Sequence, residues 1–298
     1  MPEGDTIFRA ARTLHLALAG KVVTRFTSVY PALTRIDEDA PIAGRTVLRV
    51  NARGKHLLMH FGEGGAALQG SRSSATIVHG SRSPATSLRT HMRMKGSWHI
   101  YRPGEAWQRP RGEARIVIET ADFVAVAFNV PIAEFLDERQ AARQEDLRSI
   151  GPDLLGATFD EADAVHRLQA RGPQAISEAL LNQRVVAGIG NVYKSETLFL
   201  EGVHPETPVR ALDEQKLREL LRTARKLLKA NVADASSEIV TYRGLRRTTG
   251  RTDPDERLWV YGRGGRACRR CGAAIAYRKT GPDARGTYWC PACQQAPG

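Results

Sequence analysis

Hydrophobic spacing changes character twice along this chain. Near the start, Ile7, Ala11, Leu14 and Leu18 recur at helical spacing, with Asp5 placed to cap the helix and Gly20 to end it. Short, β-branched, turn-separated segments follow at Val22–Val29, Thr46–Asn51, His56–Phe61, Ile116–Thr120 and Phe123–Val130. They predict strands of a β-sandwich or barrel, with Arg53-Gly54-Lys55 in a tight turn between two of them. Helical spacing then returns. Gly172-Pro173 predicts a helix opening there and running through Asn182. Arg184–Asn191 reads as a glycine-broken turn, and Val192–Glu201 as a helix stopped by Gly202. Leu217, Leu220, Leu221, Ala224, Leu227 and Leu228 form one face of a further helix. Two helices joined by a Gly-containing turn make a helix-turn-helix type unit, in which Gly188 and Gly190 would let backbone N–H groups approach a phosphate.

Two stretches break this pattern. Gly70–Ser87 is Ser-rich, repeats Gly-Ser-Arg-Ser and reads as an exposed insertion in a loop. Glu134–Asp160 carries 7 acidic against 3 basic residues and is punctuated by Gly151-Pro152 and Gly156. It reads as a linker whose acidity keeps it off a nucleic-acid surface.

Length and charge narrow the class. With 298 residues, 42% of them apolar, the chain suits two domains with real cores. No apolar run approaches the roughly 18 residues of a membrane span. Met-Pro-Glu-Gly-Asp lacks the apolar region of a secretory signal, so the expectation is a soluble, cytosolic protein without membrane contact. The net charge is +12, and Thr241–Gly298 holds 12 Lys and Arg against 4 Asp and Glu. Charge so concentrated near one end points to a polyanion such as nucleic acid; a basic surface kept for solubility is the alternative.

The chain's 4 cysteines, Cys268, Cys271, Cys290 and Cys293, form two C-x2-C pairs. Two residues between thiolates let both face one ion, and two such turns complete a tetrahedral S4 site suited to one zinc ion. Four sulfurs leave no open position for water, so the zinc is structural, and so short a segment draws its folding energy from the metal.

Pro2 and Glu3 carry candidate chemistry. Removal of Met1 would leave a secondary amine that titrates near pH 8, far below lysine, and the positive end of the first helix lies close by. Attack by such an amine on an anomeric carbon gives an iminium, a charged Schiff base. Glu3 beside it could protonate a leaving base. On these residues alone, an ordinary N-terminal Pro and a solvated first-turn acid are the favoured readings.

Taken in order, Met-Pro-Glu-Gly-Asp-Thr at 1–6, Arg53-Gly54-Lys55, NQRVVAGIGNVYKSE at 182–196, VYGR at 260–263 and the cysteine quartet resemble the formamidopyrimidine-DNA glycosylase / endonuclease VIII family. The resemblance spans nearly the whole chain outside about 70–87, and PEGDT looks closer to the endonuclease VIII branch. It implies a multidomain α+β fold. Residues 1–131 would form an N-terminal catalytic β-sandwich, 132–151 the acidic linker, 152–240 a helix–two-turn–helix domain, and 241–298 a lesion-loop region with a β-hairpin zinc finger. It implies a monomeric, cytoplasmic, nucleoid-associated enzyme of base-excision repair acting on damaged double-stranded DNA. Such an enzyme excises oxidised pyrimidines and cleaves the abasic site by β,δ-elimination through a Schiff base on Pro2, with Glu3 as proton donor. By the same resemblance Lys55, Asn191 and Arg285 contact phosphates at the catalytic centre. Met94 matches the methionine wedge of the formamidopyrimidine branch, where typical endonuclease VIII members carry Gln-Leu-Tyr across Arg93-Met94-Lys95; a core or strand-face Met94 is the alternative. Formamidopyrimidine/8-oxoguanine specificity on the same scaffold and a non-catalytic zinc-finger damage-binding protein are the competing functions.

Overall fold

The computed structural model describes residues 2–63, 86–137, 140, 143–233, 246–251, 253, 255–281 and 284–297. The expected insertion at Gly70–Ser87 lies outside them except for Thr86 and Ser87, which open a strand. The α+β chain divides into two compact units: one formed chiefly by Thr6–Arg148, the other by Glu3–Asp5, Ser149–Ala235 and Arg243–Gly298.

In the first unit, α1 (Gly4–Leu18) precedes β1 (Val23–Ser28), α2 (Pro31–Asp39), β2 (Thr46–Arg53), β3 (His56–Gly62), β4 (Thr86–His91), β5 (Ser97–Tyr101), β6 (Ala114–Thr120), β7 (Val124–Phe128), β8 (Ile132–Asp137) and α3 (Glu145–Arg148). The strands form two antiparallel four-stranded sheets, ordered β1-β6-β7-β5 and β2-β3-β4-β8. Their inner faces share one core. Val23, Phe26, Ile116 and Ile118 come from one sheet, Val50, Leu57, Met59 and Leu88 from the other, and Ile7, Ala11, Leu14 and Leu18 from α1. This is a β-sandwich. Gly20, at φ 78°, follows the helix it was expected to end.

Three sequence expectations need correction. Ile132–Asp137 is a strand rather than the start of a linker. It pairs with β4, burying Phe135 and Leu136 while Glu134 reaches Arg89 Nε at 2.8 Å; Glu134 and Asp137, two of the acids that suggested a linker, belong to this strand. The expected helix from Gly172-Pro173 begins only at Ile176, because the preceding backbone is taken up elsewhere: Gly172 O accepts from Arg210 N and Gln174 O from Val209 N. Asp5 lies within the first turn of α1 and does not precede it.

In the second unit, α4 (Glu161–Gln169), α5 (Ile176–Leu181), α6 (Asn191–Leu200) and α7 (Glu214–Ala233) precede β9 (Ala276–Thr280) and β10 (Arg285–Trp289). Asp160 caps α4 by accepting from Asp163 N at 2.9 Å. Leu217, Leu220, Leu221, Ala224 and Leu228 of α7 are buried against Val165, Leu168, Ala179, Leu180 and Tyr193. β9 and β10 form an antiparallel hairpin with Arg285 opposite Thr280. Among the described residues no helix is long and apolar enough to cross a membrane.

Candidate active site and nucleic-acid interface

In the second unit, Glu3 is fully buried against the N-terminus of α6. Val192 N donates to its Oε1 at 2.9 Å and Tyr193 N to its Oε2 at 3.4 Å. These are first-turn N–H groups with no partner inside the helix, and the two carboxyl oxygens of Glu3 supply the acceptors they lack. The reading of Glu3 as a solvated first-turn acid is thereby overturned.

The neighbouring glycines are explained by the same seat. A Cβ on Gly190 would fall 2.3 Å from Glu3 Cδ, and a Cβ on Gly4 would fall 2.7 Å from Gly188 Cα. Gly4 N donates to Gly188 O at 2.9 Å. Gly188 and Gly190 therefore make room for the Glu3-Gly4 backbone and carboxyl group. Gly190→Ala is expected to displace Glu3, to cost about 1–3 kcal/mol of stability as overpacking does, and to lower any Glu3-dependent activity at least tenfold, read by Tm and a glycosylase assay.

Asp5 is buried and accepts a two-pronged contact from Arg246, with Nε at 3.0 Å from Oδ2 and Nη2 at 2.9 Å from Oδ1. The Arg246 guanidinium also sits 5.6 Å from the centre of the Tyr193 ring. Burial, reinforced by the Asp5 carboxylate, holds the Tyr193 phenol protonated far above its usual range. Asn191 opens α6 and is nearly buried; its Nδ2 donates to Gly286 O at 2.6 Å, beside Arg285 at the start of β10. Lys194 Nζ donates to Asn191 Oδ1 at 2.7 Å and to Thr287 Oγ1 at 2.8 Å. Burial pulls the Lys194 amine down to about 8; Glu3 opposes this shift and Arg285 adds to it. Glu196, fully buried, accepts from Trp259 N, Val260 N and Tyr261 N at 2.8, 2.9 and 2.8 Å, and from Thr248 Oγ1. It thus fixes the backbone of the VYGR segment.

The four cysteine sulfurs lie within 4.8 Å of one another. Tetrahedral S4 coordination with metal–sulfur bonds of about 2.3 Å places sulfurs about 3.8 Å apart, so the cluster is sized for such an ion. Arg270 N donates to Cys268 Sγ at 3.4 Å, and Gln294 braces the second knuckle, accepting from Cys290 N at 2.9 Å and donating to Val203 O at 2.7 Å.

In the first unit, Lys55 follows Gly54 in the two-residue turn between Arg53 and His56, where Gly54 takes φ 56°. Close by, His91 packs edge-on against His56, ring centres 4.8 Å apart. Burial, with the cations of Arg93, Lys55 and Arg89, lowers its imidazole to about 4, so it is neutral at pH 7. Met94 stands on the turn between β4 and β5 and is 58% exposed. A core or strand-face place for Met94 is thus ruled out. Pro2 and Lys55 belong to the first unit with Met94, whereas Glu3, Asn191, Arg285 and the cysteines belong to the second.

Residues 1–144 match the formamidopyrimidine-DNA glycosylase N-terminal domain, and residues 150–242 match its H2TH domain. A probable endonuclease 8 2 of Streptomyces coelicolor is 43% identical over 100% of this chain and 95% of its own length. The chain belongs to the formamidopyrimidine-DNA glycosylase / endonuclease VIII family. A DNA-(apurinic or apyrimidinic site) lyase Nei2 of Mycolicibacterium smegmatis is 37% identical over 99% of this chain and 100% of its own length. Among solved structures, a Lactococcus lactis formamidopyrimidine-DNA glycosylase crystallised with DNA containing an oxidised pyrimidine superposes with a TM-score of 0.77 at 24% identity, covering 99% of this chain and 100% of that one. The same bacterium's enzyme bound non-covalently to abasic-site DNA gives 0.75 at 25% identity with the same coverage.

Sequence reasoning missed Lys194, Glu196 and the Asp5–Arg246 pair as residues with work in the family's frame. The first two lay inside a quoted motif, among the polar residues Asn191, Ser195 and Thr197 of α6, so they did not stand out. Asp5 and Arg246 are 241 positions apart, and nothing local joins them.

Proposed function

We propose that the chain is a bifunctional DNA glycosylase/AP lyase that excises oxidised pyrimidines from double-stranded DNA and cleaves the abasic site by β,δ-elimination. The observation that carries the reading is Glu3, directly following Pro2, buried and seated on the N-terminus of α6. Acid–base chemistry needs a carboxyl group held in one place next to the nucleophile, and this seat provides it. The names borne by the relatives from Streptomyces and Mycolicibacterium support the same activity.

In this mechanism the Pro2 amine attacks C1′ as Glu3 gives its proton to the departing base; Glu3 then takes the proton that the amine loses and passes it to O4′ as the C1′–O4′ bond breaks, leaving an iminium between Pro2 and the opened sugar. Loss of a C2′ proton then expels the 3′ phosphate, and a second elimination expels the 5′ phosphate. Lys55, Asn191 and Arg285 bind the phosphates, the last with a planar fork suited to them. Cys268, Cys271, Cys290 and Cys293 would hold one zinc ion, which supplies no reactive position and orders the hairpin bearing Arg285. The enzyme works as a cytoplasmic, nucleoid-associated monomer. The exposed Met94 on its turn suits a wedge into the base stack, and as a methionine it matches the formamidopyrimidine branch, so specificity toward formamidopyrimidine and 8-oxoguanine is the competing reading. A panel of thymine glycol, dihydroxyuracil and 8-oxoguanine duplexes separates the two.

Borohydride reduction during turnover tests the nucleophile. It is expected to lock the wild-type protein covalently to abasic DNA, and Pro2→Gly with Met1 removed is expected to trap far less. An undiminished adduct in that variant moves the nucleophile to a lysine; no adduct with wild type leaves a non-catalytic damage-binding protein.

A further inference from the structure

We infer that Lys194 is a positioning residue that turns the Asn191 amide, and with it the Arg285 end of β10, toward the DNA backbone; the inference rests on the glycosylase reading above. Lys194 is fully buried in α6, the helix that opens at Asn191. Both of its hydrogen-bond partners, Asn191 Oδ1 and Thr287 Oγ1, are neutral oxygens. It lies near the positive end of the helix, where a cation is opposed by the helix dipole. Burial lowers its amine more than Glu3 raises it, so the folded protein carries this charge at a net cost in solvation, with the dipole also opposed. Val192, Leu198 and Phe199 are buried on the same helix, and an apolar side chain at 194 would fit that setting at lower cost. Stability therefore does not account for a lysine here.

Geometry does. An ammonium offers three donors and no acceptor, so the oxygen of the Asn191 amide has to face it. That leaves Nδ2 on the far side as a donor, aimed at Gly286 O at 2.6 Å, one residue from Arg285. The amide NH2 carries two hydrogens; Gly286 O takes one, and the second is a donor beside an arginine, which is what a phosphate oxygen requires. The other Lys194 contact runs through Thr287 Oγ1 to Thr280 Oγ1 at 2.6 Å, across both strands of the hairpin. One buried ammonium thus fixes the amide's orientation and ties α6 to the start of β10.

The test uses the full chain and a duplex bearing a tetrahydrofuran abasic analogue, which has neither base nor aldehyde, so binding is read without chemistry. Kd and its salt dependence are measured for wild type, Lys194→Met, Asn191→Ala and the double variant. Lys194→Met is expected to bind about tenfold more weakly, with a salt slope shallower by about one phosphate, and to keep its metal and Tm. Because Lys194 acts through Asn191, the double variant is expected to bind no more weakly than Asn191→Ala alone. Wild-type affinity in Lys194→Met, or losses that multiply in full, would overturn the inference. If Lys194→Met does not fold, Lys194→Gln, which keeps a donor one atom shorter, carries the same cycle with the same criteria. A wild-type protein that does not prefer this duplex to undamaged DNA would sink the glycosylase reading, and the inference with it.

Discussion

Removing the metal from Cys268, Cys271, Cys290 and Cys293 is expected to abolish binding to abasic-site DNA while the β-sandwich stays folded. The finger around the β9–β10 hairpin has little apolar core of its own: Val260, Cys268, Ile275 and Cys290 form a small cluster with Phe199 of α6. A structural zinc ion contributes about 10–16 kcal/mol in modules of this size, far more than that burial supplies. Without it, the thiolates lose their shared partner and β10 loses its register. Gly286 O and Thr287 Oγ1 then no longer meet Asn191 and Lys194, and Arg285 is released with them. The sandwich has a separate core, drawn from both sheets and α1, and none of its residues is a metal ligand. Chelation and Cys290→Ser should therefore give the same result in a gel-shift assay, with the sheet signal in circular dichroism retained. Arg285→Ala is the graded control. It leaves the fold, removes one phosphate contact, and should lower the salt slope by about one. Full-strength binding by the metal-free protein would show that the finger is dispensable for DNA.

Where the architecture was legible in the sequence, local chemistry decided it. The β2–β3 turn announced itself through Arg53-Gly54-Lys55 between two apolar runs, α7 through its leucine spacing, and the finger through its cysteine spacing. β8 was hidden because the composition count ran on past it to Asp160, where further acids outweighed Phe135 and Leu136. α2 was hidden because it opens on Pro31 with no side-chain cap and buries a single residue, Leu33. The candidate site was legible only in part. Glu3 could be singled out beside Pro2, but its seat depends on α6, nearly 190 positions away, and the need for glycine at Gly190 is visible only once the Glu3 carboxylate occupies the space. Lys194 and Glu196 were quoted only as part of a motif, and a helical lysine or glutamate usually faces solvent. Their burial follows from what packs over α6, which no window of sequence contains.

Glu3→Gln is expected to stop excision of thymine glycol while much of the cleavage at a preformed abasic site remains. Base release needs a proton delivered as the glycosidic bond breaks, and general acid help of this kind is worth about 10²–10⁴-fold. An abasic site has already lost its base and presents an aldehyde, with which the Pro2 amine condenses without a leaving group to protonate. The structure makes the substitution a conservative one. A glutamine amide oxygen can still accept from Val192 N, the shorter of the two contacts at 2.9 Å. Its NH2 group then faces Tyr193 N, which donates across 3.4 Å in the wild type. Two donors meeting there cost about 1–3 kcal/mol for the lost acceptor, which a Tm measurement can see and which is small beside the catalytic loss. Gly190 leaves room for the side chain's Cδ, so no new clash arises. The two substrates therefore separate the role of Glu3 as proton donor from its role as a structural plug on α6. If the plug alone mattered, Glu3→Gln would cut both substrates nearly as well as wild type. If Glu3 also served the elimination steps, both would fall together. Loss confined to the base-bearing duplex is the outcome that assigns the proton to Glu3.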